Sequence, residues 1–218
     1  MITYDLFSQL NDTNDPQWLG ENTLLLPAFL TNYATQLKQH IEAITALAPF
    51  RHMRTPGGHL MSVAMTNCGP LGWITDRKGY RYSPTDPITA LNWPPLPELF
   101  RTLACRAAQL AGFADFQPQA CLINCYRIGS KLSLHQDKDE HNLQAPIVSF
   151  SLGLPATFLW GGLKRHDKTI KIPLLHGDVL VWGGVDRLRY HAIAPLKEGY
   201  HSLFHEQRIN LTFRQISY

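Results

Sequence analysis

The chain carries two textures of hydrophobic and polar positions. In its first half, apolar residues recur at helical spacing in two stretches. Leu30, Tyr33, Ala34, Leu37, Ile41 and Ile44 predict a helix that starts at Pro27 and ends before Pro49. Phe100, Leu103, Ala104, Ala107 and Leu110 predict a second helix, Pro97 to Ala111, closed by Gly112. Residues 1–26 read as an arm with one apolar run, Leu24-Leu25-Leu26. Between the helices, the turn Thr55-Pro56-Gly57-Gly58 leads into a strand, HLMSVAMT. A Pro-rich stretch then runs to Pro97 and contains Trp73, Tyr80 and Tyr82. It suits a functional lid, and equally a surface hairpin whose aromatics cover the core.

From Phe116 onward the period changes to two. Strands are expected near 119–126, 131–137, 146–152, 156–160, 169–175, 178–182, 189–194 and 207–215. Turn signals at Gly153, Gly161-Gly162, Gly177-Asp178 and Gly183-Gly184 separate several of them. About eight short, mostly antiparallel strands predict a mainly β protein with flanking helices and a jelly-roll core. No linker divides the two textures. The expectation is one domain over residues 1–218, with helices and lid to about 115 and the jelly roll in about 116–218.

Composition narrows the class without deciding it. In 218 residues, 44% hydrophobic and 17% charged positions exclude a disordered chain. A net charge of +3 permits a nucleic-acid partner without requiring one. The four cysteines form no CxxC pair and read as reduced thiols. The start MITYDLFSQL carries no basic-then-apolar leader, and the run from Leu24 to Leu30 is far short of a membrane span. A soluble cytoplasmic protein, with no membrane partner and no demand for more than a monomer, is the expectation.

Candidate chemistry begins at Leu134-His135-Gln136-Asp137. On a strand, residues i and i+2 share a face, so His135 and Asp137 can reach one ion. His191, 54 residues later on another strand, completes two imidazoles and one carboxylate, a facial set suited to non-haem Fe(II). A His-x-Asp pair by itself is more often two surface residues. His176 competes as third ligand, although His176-Gly177-Asp178 suits a tight turn better. In the last strand Arg208, Asn210, Thr212 and Arg214 alternate with Ile209, Leu211 and Phe213. The polar face reads either as solvated or as a polar barrel interior. Its two arginines, roughly 20 Å apart at the backbone, would then bracket a short dicarboxylate.

Taken together, His135-x-Asp137, His191 and Arg208-x-Asn210-x-Thr212-x-Arg214 resemble the AlkB family of Fe(II)- and 2-oxoglutarate-dependent dioxygenases. The resemblance extends from about Phe50 to the end through TPGGHLMSVAMTNCG, FQPQACLIN, KLSLHQDKDE, APIVSFSLGLPA, GGLKR, HGDVLVWGG and RINLTFRQ. It implies a double-stranded β-helix with an N-terminal nucleotide-recognition extension. His135, Asp137 and His191 would then be the iron ligands, and Asn124, Tyr126, Arg208, Asn210 and Arg214 the 2-oxoglutarate positions. Trp73 and His135 would sandwich the base, Tyr80 would lie near the substrate phosphate, and Asp139 would face the base's exocyclic group. Met61, Lys131, Ser133, Gln136 and Arg165 would line the pocket or the DNA strand. Ile74-Thr75-Asp76 is less polar and more acidic than the family's lid segment.

The implied activity is oxidative demethylation of N-alkylated bases such as 1-methyladenine and 3-methylcytosine. Formaldehyde is released while Fe(II), O2 and 2-oxoglutarate are engaged and 2-oxoglutarate becomes succinate and CO2. Alkylated single- or double-stranded DNA is the expected partner. A related dioxygenase acting on RNA or protein, and a non-catalytic nucleic-acid-binding jelly roll, are the alternatives. The second would have no use for His135, Asp137 and His191 together.

Overall fold

The computed structural model describes residues 14–217. The first thirteen residues of the expected arm therefore lie outside the described residues. The rest of that arm is two strands, β1 (Gln17–Gly20) and β2 (Thr23–Leu26), and β2 pairs antiparallel with a strand of the main sheet. The Leu24-Leu25-Leu26 run is thus a sheet element rather than an arm.

The first helix begins later than its apolar spacing predicts. Ala28 takes a positive φ of 53°, Leu30 donates its N–H to the Gly177 carbonyl, and a 3-10 turn covers Thr31–Tyr33. The α-helix α1 then runs Ala34–Leu47 and buries Ala34, Leu37, Ile41 and Ile44. Helix α2 (Glu98–Leu110) starts after Pro97 and gives way to Gly112 at φ 87°, which glycine tolerates without steric cost. Leu110, expected on its apolar face, is exposed, and Ala108 is buried instead.

Between the helices lie β3 (Arg51–Arg54), β4 (Leu60–Cys68) and a two-stranded hairpin, β5 (Gly72–Asp76) with β6 (Gly79–Ser83). All eight strands expected after Phe116 form: β7 (Ala120–Arg127), β8 (Leu132–His135), β9 (Ile147–Gly153), β10 (Ala156–Trp160), β11 (Ile170–Leu174), β12 (Val179–Trp182), β13 (His191–Ile193) and β14 (Gln207–Arg214).

They divide into a main sheet, β1-β2-β12-β9-β14-β7-β4-β3, and a minor sheet, β11-β10-β13-β8, with antiparallel pairing throughout. Alternation along the main sheet sorts its side chains into two cores. Cys121, Ile123, Cys125, Phe150, Leu211 and Phe213 pack with Leu37, Ile41, Phe100 and Leu103 of the helices. Leu122, Tyr126, Ile147 and Trp182 pack on the opposite side with Phe158, Trp160, Ile172 and Ile193 of the minor sheet. Helices thus close one face of the main sheet, and the minor sheet closes the other. All four cysteines are free thiols. Among the described residues, no helix is long and apolar enough to cross a membrane.

The β5–β6 hairpin lies over the open end between the sheets and partly satisfies both readings of the Pro-rich stretch. Ile74 and Trp93 are buried in the core, whereas Trp73 and Tyr80 line a cavity. Gly72 allows this seating, because a Cβ there would collide with the Trp93 ring. Asn67, buried in β4, fixes the hairpin's root by bonding both the N–H and the carbonyl of Trp73, each at 3.0 Å.

Candidate metal and co-substrate site

A cavity of about 630 Å³ opens between the two sheets beneath the hairpin. At its floor, ligand atoms of His135, Asp137 and His191 lie within 4.8 Å of one another. Strand register brings them together. His135 of β8 stands directly opposite His191 of β13, with ring centroids 4.4 Å apart. Asp137 follows just beyond the end of β8 rather than within it. Its Oδ1 is 3.6 Å from His135 Nε2 and 4.0 Å from His191 Nε2.

Each imidazole is oriented by a carbonyl two residues earlier. His135 Nδ1–H donates to Ser133 O at 2.8 Å, and His191 Nδ1–H donates to Arg189 O at 3.0 Å. With Nδ1 so engaged, both Nε2 lone pairs point at the shared position, as metal-binding histidines require. His176, the competing ligand, sits in the β11–β12 turn and accepts the Gly153 N–H at 3.0 Å, away from this set.

Burial alone would raise the Asp137 carboxyl, but Arg214 and the two imidazoles hold it well below the usual carboxylate range. Burial and the neighbouring His135 push His191 down to about 4, so it is a neutral imidazole near pH 7. For His135 burial pulls down, yet the Asp137 carboxylate beside it prevails and the pKa is raised. An ionised carboxylate beside two imidazoles with free Nε2 atoms is a ready-made donor set for a divalent cation.

The polar face of β14 points inward rather than to solvent. Arg208, Asn210, Thr212 and Arg214 are all buried. In the β7–β14 register, Tyr126 lies opposite Arg208 and Asn124 opposite Asn210, so the five expected co-substrate positions converge from two adjacent strands. Asn210 Nδ2 bonds Ser149 Oγ at 2.8 Å and Phe150 O at 2.9 Å, and Arg208 Nη2 bonds Ser151 Oγ at 3.1 Å. The Arg208 guanidinium also lies 5.0 Å over the Tyr126 ring.

The group is conspicuously incomplete. Arg208 Nε and Nη1, Arg214 Nη1 and Asn124 Oδ1 are buried with no hydrogen-bond partner. Burial lowers the Arg208 pKa against the pull of Tyr126, yet an arginine remains charged. A buried cation with unused donors is costly unless an anion completes it. These donors fit the carboxylates of 2-oxoglutarate.

Nearer the mouth, Trp73 Nε1–H donates to Asp139 Oδ2 at 2.9 Å, and Tyr80 stacks on Trp73 at 5.6 Å between centroids. Met61, Lys131, Ser133, Gln136 and Arg165 line the cavity. Arg165 lies 5.7 Å over the Tyr190 ring, and Gln136 donates to Leu188 O at 2.5 Å. Lys131 contributes backbone groups to Ser62, its carbonyl accepting from Ser62 Oγ at 2.9 Å.

Several buried residues here carry no clear sequence signal. Ser149 and Ser151 sit on β9 between apolar residues and hold Asn210 and Arg208. Glu140 reads as one charge in a polar run, and nothing around Arg187 sets it apart. Both are buried and paired at 2.8 Å, Glu140 on the loop after Asp137 and Arg187 donating to that loop's carbonyls. The alternation within SFSL, two serines on one strand face, is the one hint for the first pair.

A jelly roll holding two histidines and an aspartate beside buried arginines with unused donors defines an Fe(II)- and 2-oxoglutarate-dependent oxygenase. The model of the 2OG-Fe(II) oxygenase superfamily matches residues 22–214. The chain is 56% identical over 211 residues to the alpha-ketoglutarate-dependent dioxygenase AlkB of Escherichia coli (strain K12), covering 97% of each. It is 36% identical over 124 residues to the nucleic acid dioxygenase ALKBH1 of Mus musculus, covering 56% of this chain and 31% of that protein. The solved structure of OsALKBH1 superimposes with a TM-score of 0.79 at 30% identity, covering 92% of this chain and 100% of that one. The chain belongs to the AlkB family of 2OG-Fe(II) dioxygenases. Its chemistry requires Fe(II), 2-oxoglutarate and O2.

Proposed function

We propose that this dioxygenase repairs DNA by oxidatively demethylating N-alkylated bases such as 1-methyladenine and 3-methylcytosine. The observation that carries the reading is the cavity itself: a cation-binding donor set at its floor, beneath an aromatic hairpin with a carboxylate at the mouth. Kinship with a nucleic acid dioxygenase supports the substrate class.

In this reading His135, Asp137 and His191 hold Fe(II), and Arg208, Asn210, Asn124, Tyr126 and Arg214 hold 2-oxoglutarate. When bound, iron, 2-oxoglutarate and O2 supply the oxidation of the N-methyl carbon, which leaves as formaldehyde while 2-oxoglutarate becomes succinate and CO2. The residues of the chain do the rest. Arg208 contributes its unused Nε and Nη1 donors to one carboxylate, and Arg214 its Nη1 to the other. Tyr126 and Asn210 keep the Arg208 side of the pocket polar and rigid.

A base in a duplex cannot reach such a floor, so the target nucleotide is flipped or taken from a single strand. Trp73 and His135 stack the extruded base, with Tyr80 on the strand side. Asp139 favours a cationic base such as 1-methyladenine over its neutral parent. Met61, Lys131, Ser133, Gln136 and Arg165 shape the pocket and its rim. The protein is read as a cytoplasmic monomer acting on single- or double-stranded DNA.

The test is anaerobic loading with Fe(II) and 2-oxoglutarate, then air and a 1-methyladenine oligonucleotide. Unmodified adenine and formaldehyde are expected in equal amounts. A panel of methylated DNA and RNA strands left intact would overturn the reading.

A further inference from the structure

Glu140 is a buried carboxylate that no step above uses. Its side chain is 2% exposed, and its neighbours come from three separate parts of the fold. From the hairpin, Tyr82 donates its hydroxyl to Glu140 Oε1. From the turn after β12, Arg187 Nη2 donates to Oε2 at 2.8 Å. From the end of β14, Arg214 Nε approaches Oε1 at 3.4 Å while its Nη2 holds Asp137 Oδ2 at 2.7 Å.

The loop that carries Glu140 is itself pinned. Arg187 also donates to the carbonyls of Asp137, at 2.5 Å, and Ala145, at 3.0 Å. The N–H groups of His141 and Asn142 both reach Ile216 O at 3.0 Å. Glu140 therefore offers a fixed carboxylate to a hairpin whose β5 is held by Asn67, by buried Ile74 and by Thr75, whose hydroxyl donates to Arg54 O at 3.1 Å, and whose β6 it grips through Tyr82.

The hairpin's grip has a simple geometry. Trp73 and Tyr82 are directly opposed across β5 and β6, so their side chains leave the same face. They bond to consecutive residues of one loop, Trp73 to Asp139 and Tyr82 to Glu140. A shift of the hairpin at Trp73 to admit a base therefore loads the Tyr82–Glu140 bond as well. On its other side Glu140 shares Arg214 with Asp137.

We propose that Glu140 is a positioning residue that couples the nucleotide hairpin to the co-substrate site, through Tyr82 on one side and Arg214 on the other. This rests on the reading of Arg214 and Asp137 given above. Its consequence is that 2-oxoglutarate oxidation is tied to an occupied base pocket.

The experiment compares wild type, Tyr82→Phe, Glu140→Gln and the double variant. Tyr82→Phe removes one hydroxyl from a half-buried ring and preserves the fold. Three quantities are read: 2-oxoglutarate affinity of the Mn(II)-loaded protein, succinate formed per formaldehyde, and hydrogen exchange of the β6 amides in metal-free protein. Tyr82→Phe is expected to shift co-substrate affinity about threefold or more, although among the described residues its hydroxyl hydrogen-bonds Glu140 and neither Arg208 nor Arg214. It should raise succinate per formaldehyde and speed β6 exchange. Glu140→Gln should do the same, and the double variant should add little. Unchanged affinity and an unchanged succinate ratio in Tyr82→Phe would overturn the coupling even if β6 exchange quickened, leaving Glu140 a local strut. Fully additive single effects would also overturn it. A wild-type protein that binds no 2-oxoglutarate would sink the site reading, and the coupling with it.

Discussion

Trp73 and Asp139, 66 residues apart in the chain, are joined by an indole-to-carboxylate hydrogen bond of 2.9 Å at the mouth of the cavity. The aromatic that is to stack a base and the carboxylate that is to recognise it hold each other in the free protein. Entry of a base must exchange that bond for contacts with the nucleotide. Asp139→Asn keeps an acceptor for the indole but removes the charge. It is expected to lower kcat/KM for a cationic 1-methyladenine strand by about tenfold. A neutral alkylated base should lose much less. Equal losses on both, measured by steady-state kinetics, would show that Asp139 does not read charge.

Arg208 makes an unusual stability prediction. Its Nε and Nη1 are buried without partners, so the guanidinium is a liability until an anion arrives. Arg208→Met removes the charge and roughly keeps the volume. The ligand-free protein is expected to be as stable as wild type, or more stable by about 1 kcal/mol. The rise in Tm that 2-oxoglutarate gives the wild type should vanish. A variant that melts well below wild type yet keeps the 2-oxoglutarate shift would refute the assignment.

Asp137 has two duties that different substitutions separate. It faces both imidazoles, and it neutralises buried Arg214. Asp137→Ala is expected to abolish turnover, by about a thousandfold or more, and Fe(II) retention with it. It also leaves buried Arg214 with only the longer 3.4 Å pairing to Glu140 and should destabilise the chain by about 3 kcal/mol. Asp137→Asn, which keeps a hydrogen-bond acceptor for Arg214, should lose turnover as completely with a smaller fall in Tm. Activity retained in either variant, measured as formaldehyde release, would remove Asp137 from the metal set.

Acid should loosen the segment after the hairpin. Asp86 is buried, which favours its neutral form, but the fork of Arg51 prevails and its pKa is lowered, with Nη2 to Oδ2 at 2.6 Å. A carboxyl whose folded pKa lies below its unfolded value of about 3.9 contributes stability above that pH. The contribution is lost as pH falls through the folded pKa. Asp86→Asn should therefore melt below wild type at pH 7, by about 1 kcal/mol or more, and the gap should close below about pH 4. A gap that stays constant in Tm measurements across that range would contradict the pairing.

The elements with long, regular periodicity are legible in the sequence alone: eight strands after Phe116, helix α2 almost to the residue, and the strand through Val63. Sequence and fold part where tertiary contacts override local preference. The apolar spacing of α1 includes Leu30, but Leu30 bonds Gly177 and Ala28 turns away from helical φ, so the helix waits until Ala34. Leu24 to Leu26 form a strand because β12 offers an edge on one side and β1 pairs on the other. Glu140 and Arg187 look like solvated charges in the sequence, because a buried pair is defined by its partner and not by its neighbours.

By itself, the sequence determined the chemistry available to this protein. The strict alternation of Arg208 to Arg214 commits those side chains to a common face, since a strand permits nothing else, and His135-x-Asp137 supplies two metal-ligand types within one short segment. The tertiary structure decided which face that is. Register set His191 opposite His135, and the minor sheet and hairpin closed over the main sheet and turned a polar stripe into a buried interior. Burial then did what spacing cannot: it left arginine donors waiting for a carboxylate, and made two histidines and an aspartate into one site.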